Sequence, residues 1–587
     1  MRILIKSKAR FSVLLLAVLV SITSSNFTAQ GRQARASDDL PFEVRLEVVD
    51  SSARPNFTGA PTLQSFVMAQ DGGGWLLLGG RTNGFHGFGP DANFPYSSAN
   101  RSIWVVSTAQ TNPNGSVRVY EYKLGNLPAS HANVRDQLSS TNMQAYQDGN
   151  DLYVIGGYGI YGGGAGSLVT YSMLTRIDVR RLIKAIESGQ MADVPNAIKF
   201  SMDDTARLQV TGGELFKLSD GYFYLVMGQS FMGPYLNCVV PNPPAPCQQV
   251  YTDQIRKFKI KSDANGNPII DDGNGTTIPS TYSAFTDQAN YHRRDLNITT
   301  TIMPDGTEGV AAYAGVFVPP DPANPDANLP WRYPVYLSSG VVPEAARVIK
   351  THPADMSARV EERASAAIRT ALAASAAPAK SASAPATPQP IVDYTFEQKM
   401  SPYACANLLM YDPAQKAMYT TLFGGIGRYV LDDQRNIVSV QGPPGLIPDP
   451  DPKNPGGTIF VDMVPFIPYI TTMVRDARNR TTEIVHLNTM PGYSVAPPMQ
   501  PKFLGAESKF VLDPSALSLL YGSSREILDF SKLPVGKDLF LGYIYGGIEA
   551  NIATSKNGYV YSDWRKYGQF TTTISSTVAR LIVKRRR

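Results

Sequence analysis

Short apolar stretches that run into glycine recur six times along the chain, at residues 75–80, 152–157, 224–228, 311–315, 419–425 and 541–547. Upstream of each lies a second apolar stretch and an acidic turn. The first four copies place Asp71-Gly72, Asp148-Gly149, Asp220-Gly221 and Asp305-Gly306 there, and Asp-Gly supplies the positive φ of a tight hairpin. The fifth and sixth use Asp412-Pro413 and Asp513-Pro514, which keeps the acidic turn while changing its type. Downstream come a loop of variable length and a further strand, as at 102–107 and 254–260. Each unit therefore predicts a four-stranded antiparallel meander. Such a sheet is apolar on both faces and must be covered on both, which a ring of stacked units achieves.

With these residues in view, the chain resembles the Kelch-repeat family, whose signature is an apolar strand ending in Gly-Gly followed at a distance by Tyr and then Trp. The first copy carries Gly79-Gly80, Tyr96 and Trp104, and the third carries Gly228, Tyr251 and Phe258. The likeness spans about residues 60–580 and is strong as a sixfold pattern, while the other copies keep only strand and glycines. It implies an all-β fold, a six-bladed Kelch-type β-propeller of four-stranded antiparallel blades with long loop insertions. One insertion, 177–188, has helical spacing of Val179, Leu182, Ile183 and Ile186, and another, about 355–390, is rich in Ala, Pro and Ser and reads as flexible. Closure of a ring predicts that the alternating strand at 42–49 and the terminal strand at 578–583 share one blade.

The first residues have another character. Arg2, Lys6, Lys8 and Arg10 precede an apolar run over 11–22 and then small polar residues, the pattern of a secretory signal peptide over 1–36, leaving 37–587 as a single domain. The apolar run is too short to span a bilayer, so the expectation is a secreted monomer, periplasmic or extracellular, without a membrane span after cleavage. A formal charge of +5 on 587 residues gives no polybasic surface and points away from nucleic acid. Of three cysteines, Cys238 and Cys247 bracket a Pro-rich loop and predict a disulfide, while Cys405 at a strand start predicts a buried thiol.

In a Kelch propeller, the loops after the glycine doublets and those leading into the first strands emerge on one face around the channel. The resemblance thus makes candidates of Arg81, Tyr158, Gln229 and Arg428, with His86 and Glu549 nearby, and of Glu214, His292, Arg293, Arg294, Asp295, Tyr403 and Glu507. Converging guanidinium, carboxylate and aromatic groups suit a polar or anionic ligand such as a sugar, or a partner protein. Long loops with Phe85, Phe88 and Phe94 exposed would favour the protein. The resemblance also admits a carbohydrate-active enzyme, such as a sugar epimerase or mutarotase, with an acid and a base drawn from Glu214, Glu507, Glu549 and His292. Five histidines without a close-spaced pair argue against a metal, and no cofactor motif is present. The segment 263–267 resembles the start of a calcium loop but lacks the closing acid, and reads as a hairpin turn.

Overall fold

A computed structural model describes residues 39–587 apart from 87–93, 164–166, 236–246, 275–276, 321–323, 325–326, 342–388, 441–444, 462–463, 494–500, 556 and 562–568. The signal segment and the Ala/Pro/Ser-rich insertion lie outside the described residues, apart from the last few positions of the latter.

The protein is mostly β, built on antiparallel sheets that follow the sequence repeat. The first sheet comprises Val67–Asp71, Gly74–Leu78, Ser102–Thr111 and Val117–Lys123. The second, third and fourth begin with Gln144–Asp148, Glu214–Lys217 and Asn297–Ile302 and have four strands each. The fifth begins with Asn407–Asp412 and has five. The sixth joins Lys509–Leu512 and Asp538–Tyr545 to both ends of the described chain, because Phe42–Val48 pairs antiparallel with Ala579–Arg585 from Phe42↔Arg585 to Val48↔Ala579. The strands at 42–49 and 578–583 thus share a sheet, as the sequence predicts.

The apolar alternation explains how the sheets meet. Leu76 and Val105 of the first sheet share a core with Leu152 and Ile177 of the second, and Ile155 and Leu174 of the second pack with Leu225 and Phe258 of the third. Val226 of the third meets Val310 of the fourth, Tyr313 of the fourth meets Leu422 of the fifth, and Met410 of the fifth meets Leu541 of the sixth. Trp75 and Leu77 of the first sheet then pack with Val511, Tyr543 and Tyr545 of the sixth. The helix expected over 177–188 forms as Val179–Glu187, capped by Asp178, and buries Val179, Leu182, Ile183 and Ile186.

The glycines are accounted for by one repeated contact. The amide of the second glycine, or of the lone one, donates to a carbonyl leading into the next sheet: Gly80 to Ser140, Gly157 to Val210, Gly228 to Arg293, Gly315 to Pro402 and Gly425 to Leu504. Gly547 of the sixth sheet donates in the same way to Leu63, ahead of the first, at 2.8 Å. The residue before it holds a left-handed φ in all six copies, with side chains at Met227 (+56°) and Ala314 (+46°) and glycine in the other four. At Gly156, φ is +65° and a Cβ would stand 1.9 Å from the Val210 carbonyl oxygen.

The hairpin turns follow the sequence in four copies, with φ of +57°, +65°, +78° and +85° at Gly72, Gly149, Gly221 and Gly306. The sixth copy differs. Asp513 caps a 3-10 turn, Pro514–Leu519, because proline at its first position pre-sets helical φ, and the chain makes an excursion before returning at Asp538. The segment 263–267 is the expected hairpin turn, with the Asp263 carboxylate accepting the amides of Asn265 and Asn267. Cys247 is disulfide-bonded and Cys405 is a buried free thiol, while Cys238 lies outside the described residues.

Candidate functional site

The lead-in to each first strand ends in a residue that touches its neighbours. Amides of Asn142, Gly212, Asp295, Ala404 and Glu507 donate in turn to the carbonyls of Ser65, Asn142, Gly212, Asp295 and Ala404. Between Glu507 and Ser65 the link is made by side chains, Ser65 Oγ donating to Glu507 Oε2 at 3.1 Å. Ser65, Asn142, Asp295 and Glu507 hold φ between +50° and +58°, a conformation that costs about 1 kcal/mol or more for such residues and that these hydrogen bonds fix.

Around this circuit stand most of the sequence candidates. Arg294 pairs with Asp295, donates through Nε to the Tyr251 hydroxyl at 3.1 Å, and lies 5.4 Å from the Phe317 ring. The other Asp295 oxygen accepts from Asn142 Nδ2 at 3.1 Å. His292 stacks on Tyr251 with ring centroids 3.7 Å apart, and its Nδ1 is 2.9 Å from Asp253. Tyr158 packs edge-on to Phe94 and Tyr235, and His86 stacks on Phe85 and Phe94 and meets the Tyr235 ring at 4.7 Å. Arg81 is buried, donates to Asn83 Oδ1, and lies 4.7 Å from the Phe94 centroid. Gln229 accepts from Gln249 at 2.5 Å, and Tyr403 is buried beside Phe317.

Electrostatics tie the cluster together. Burial, and then the Asp295 charge, push the Glu507 carboxyl up to about 7. Burial likewise raises Glu214, against the pull of Lys509 and of the Leu215 and Ala145 amides. Burial holds the Tyr235 phenol at about 12 and draws Arg81 down to about 10. Burial would also lower Arg294, but Tyr235, Tyr251 and Asp295 around it reverse the sign and raise it, so it stays cationic.

Three candidates stand apart. Arg293 is wholly buried and serves the scaffold, donating to the carbonyls of Asn290, Ala314 and Tyr333 with its guanidinium 4.6 Å from the Trp331 ring centroid. Arg428 lies over Tyr429, and Glu549 pairs with Lys502 at 2.8 Å. The repeat accounts for the last two. The residues that follow the glycines are Arg81, Tyr158 and Gln229 in the first three sheets but Val316, Ile426 and Ile548 in the last three. These apolar residues share a core with Tyr403, Phe466, Phe503 and residues of the small sheets inserted after the fifth and sixth doublets; Glu549 lies in one of those strands and Arg428 just before another. Phe85 and Phe94 are half-buried in the aromatic cluster and are not displayed on long loops; Phe88 lies outside the described residues.

Tyr235, Tyr251, Asn142 and Ser65 complete the cluster without having been singled out as site residues. Tyr251 was visible only as a position of the repeat signature, and Asn142 and Ser65 are marked by their place two residues before a first strand. A separate cleft of about 240 Å³ lies between 49–51, 57–62 and 575–578; Asp50 is the one ionisable side chain in it apart from Tyr545, and none of the candidates lines it. Among the described residues no group of three or more His, Cys, Asp or Glu side chains could hold a metal ion, and no helix is long and apolar enough to cross a membrane.

No family model and no curated protein matches the chain. Among solved structures it is similar to one titled "Structure of YjhT", at 9% identity over 87% of this chain and 97% of that one, with a TM-score of 0.37.

Proposed function

We propose that the six sheets are the blades of one Kelch-type β-propeller, exported behind the amino-terminal signal segment, whose channel mouth binds a polar, hydroxylated ligand. The succession of shared cores and the Gly547 to Leu63 hydrogen bond support the ring. The observation that carries the binding reading is the convergence of Tyr251, His292, Arg294, Asp295 and Glu507 on the circuit of lead-in residues. Aromatic faces stack on the apolar face of a sugar ring, while guanidinium and carboxylate groups take its hydroxyls.

Thermal melting of the mature chain against a panel of neutral and acidic sugars tests this reading, since a ligand that binds only the folded state raises the melting temperature. A ligand should stabilise the parent and the Arg293→Ala variant but neither Tyr251→Ala nor Asp295→Asn. A panel without any shift removes the sugar reading and leaves a partner protein as the occupant of the mouth. A second reading, a sugar-converting enzyme, draws support from Glu507, which is poised near neutrality beside Asp295 and could pass a proton in either direction. Loss of epimerisation or mutarotation in Glu507→Gln with retained binding would favour it, and absence of turnover in the parent would exclude it.

A further inference from the structure

Five of the six first strands turn back at once, whereas the sixth does not. After Leu512 the chain forms the 3-10 turn Pro514–Leu519, and then Ile527–Asp529 pairs in parallel with Leu409, Met410 and Tyr411 of the fifth first strand, on the edge of that strand not used by its own sheet. Tyr521 meets Tyr411 with ring centroids 4.9 Å apart. Glu526 accepts from Thr300 Oγ1 in the fourth first strand at 3.1 Å, and Arg525 reaches Asp148 at the end of the second at 3.7 Å. Glu526 also feels the charges of Glu214 in the third sheet and Lys509 in the sixth. It is exposed to solvent and yet surrounded by first strands, the situation of a group on the wall of a water-filled space.

The excursion leaves from the end of its strand opposite Glu507, so it lies across the end of the channel away from the mouth. We propose that residues 513–529 are a plug that makes the channel a blind chamber, entered and left only through the mouth, with Glu526 in its floor. This rests on reading the six sheets as one ring. It adds a specificity device to the site: the plug sets the depth available to a ligand and prevents passage from one face to the other. Anchors on first strands of three different sheets are what a crossing segment needs, and a loop lying on the outer surface would not make them.

Thiol accessibility tests the plug without any ligand. A reporter Ala145→Cys, on the second first strand beside Glu214, is placed in a Cys405→Ser chain that keeps its disulfide, with Gln249→Cys at the mouth as control. Rates of modification by a bulky maleimide are compared between the full-length chain, a chain in which an Asp-Gly turn replaces 513–537, and the length-preserving double variant Arg525→Ala/Glu526→Ala. The Ala145→Cys rate should rise at least about tenfold in the shortened chain and in the same direction in the double variant, because local opening governs access, while the Gln249→Cys rate stays constant. Should the shortened chain fail to fold, the double variant alone decides. Equal Ala145→Cys rates in the parent and every folded variant overturn the plug, whether or not a sugar binds at the mouth.

Discussion

Gly546→Ala places the first atom of a side chain at the seam between the sixth sheet and the first. Its φ is +71°, and a Cβ would stand 2.7 Å from the Leu63 carbonyl oxygen and 2.7 Å from the Phe66 ring. The left-handed conformation costs alanine about 1 kcal/mol. Moving the Leu63 carbonyl away weakens the 2.8 Å hydrogen bond from Gly547, about 1 kcal/mol more. Displacing the buried Phe66 ring adds about 1–2 kcal/mol of overpacking, for a total on the order of 3–4 kcal/mol. Gly221→Ala is the control, since φ is +78° but nothing lies within 4 Å of its Cβ, so only the conformational term of about 1 kcal/mol applies. With an unfolding entropy on the order of 1 kcal/mol/K for a unit of this length, calorimetry should show a loss of about 3 °C for Gly546→Ala and about 1 °C for Gly221→Ala. Equal losses would refute the argument that the sixth doublet backs onto the lead-in of the first sheet.

Arg293→Ala strands three carbonyls that the guanidinium now satisfies and should cost about 3–5 kcal/mol, read by denaturant titration, while leaving any ligand-induced shift intact. For Glu507, whose pKa is raised, the folded state holds the proton more tightly, so its stabilising contribution is complete below about 4.5 and is lost as pH rises to about 7. His486 acts in the opposite sense: burial draws it down to about 4, and stability is lost as pH falls from 6.5 towards that value. Subtracting the melting curve of the parent from that of Glu507→Gln cancels the His486 contribution, and the difference should move in favour of the glutamine variant between pH 5 and pH 8. Cys405, its thiol pushed up to about 12 by burial, should resist iodoacetamide at pH 8 in the native protein and take one alkyl group on unfolding, as read by intact mass.

The repeat was legible because its glycines perform the same task six times, and strand periodicity located the first two strands of five sheets, helped by Asp-Gly turns in four and Asp412-Pro413 in the fifth. The pairing of Phe42–Val48 with Ala579–Arg585 was legible because the ring that the repeat implies requires one sheet shared between the two ends. The sixth turn was not, since Asp513-Pro514 reads as a tight turn until Ile527–Asp529 finds an unpaired edge in another sheet. Position after the doublet selected Arg81, Tyr158 and Gln229, all of which reach the cluster. Arg428 and Glu549 lie two residues beyond Ile426 and one beyond Ile548, beside a core that also takes in Tyr403, Phe317 and Phe85. Arg293 and Arg294 are adjacent in sequence and opposite in environment, and only the carbonyls and Trp331 around the first distinguish scaffold from site. Tyr235 follows the strand Gln229–Met232 in a loop whose path no periodicity describes.

The proposed ring requires the two ends of the chain to pair in the sixth sheet, and a designed cross-link tests that pairing. Glu43 and Lys584 are register partners across the first and last strands. In a Glu43→Cys/Lys584→Cys chain, mild oxidation should join the two ends, with a loss of about 2 Da and a compact band on denaturing gels, because opposed strand residues lie within disulfide reach. A Glu43→Cys/Arg580→Cys chain, displaced by four residues along the strand, should stay open. No loss of mass in the folded first variant, its two new thiols and that of Cys405 all remaining free, or equal cross-linking in both, would contradict the ring.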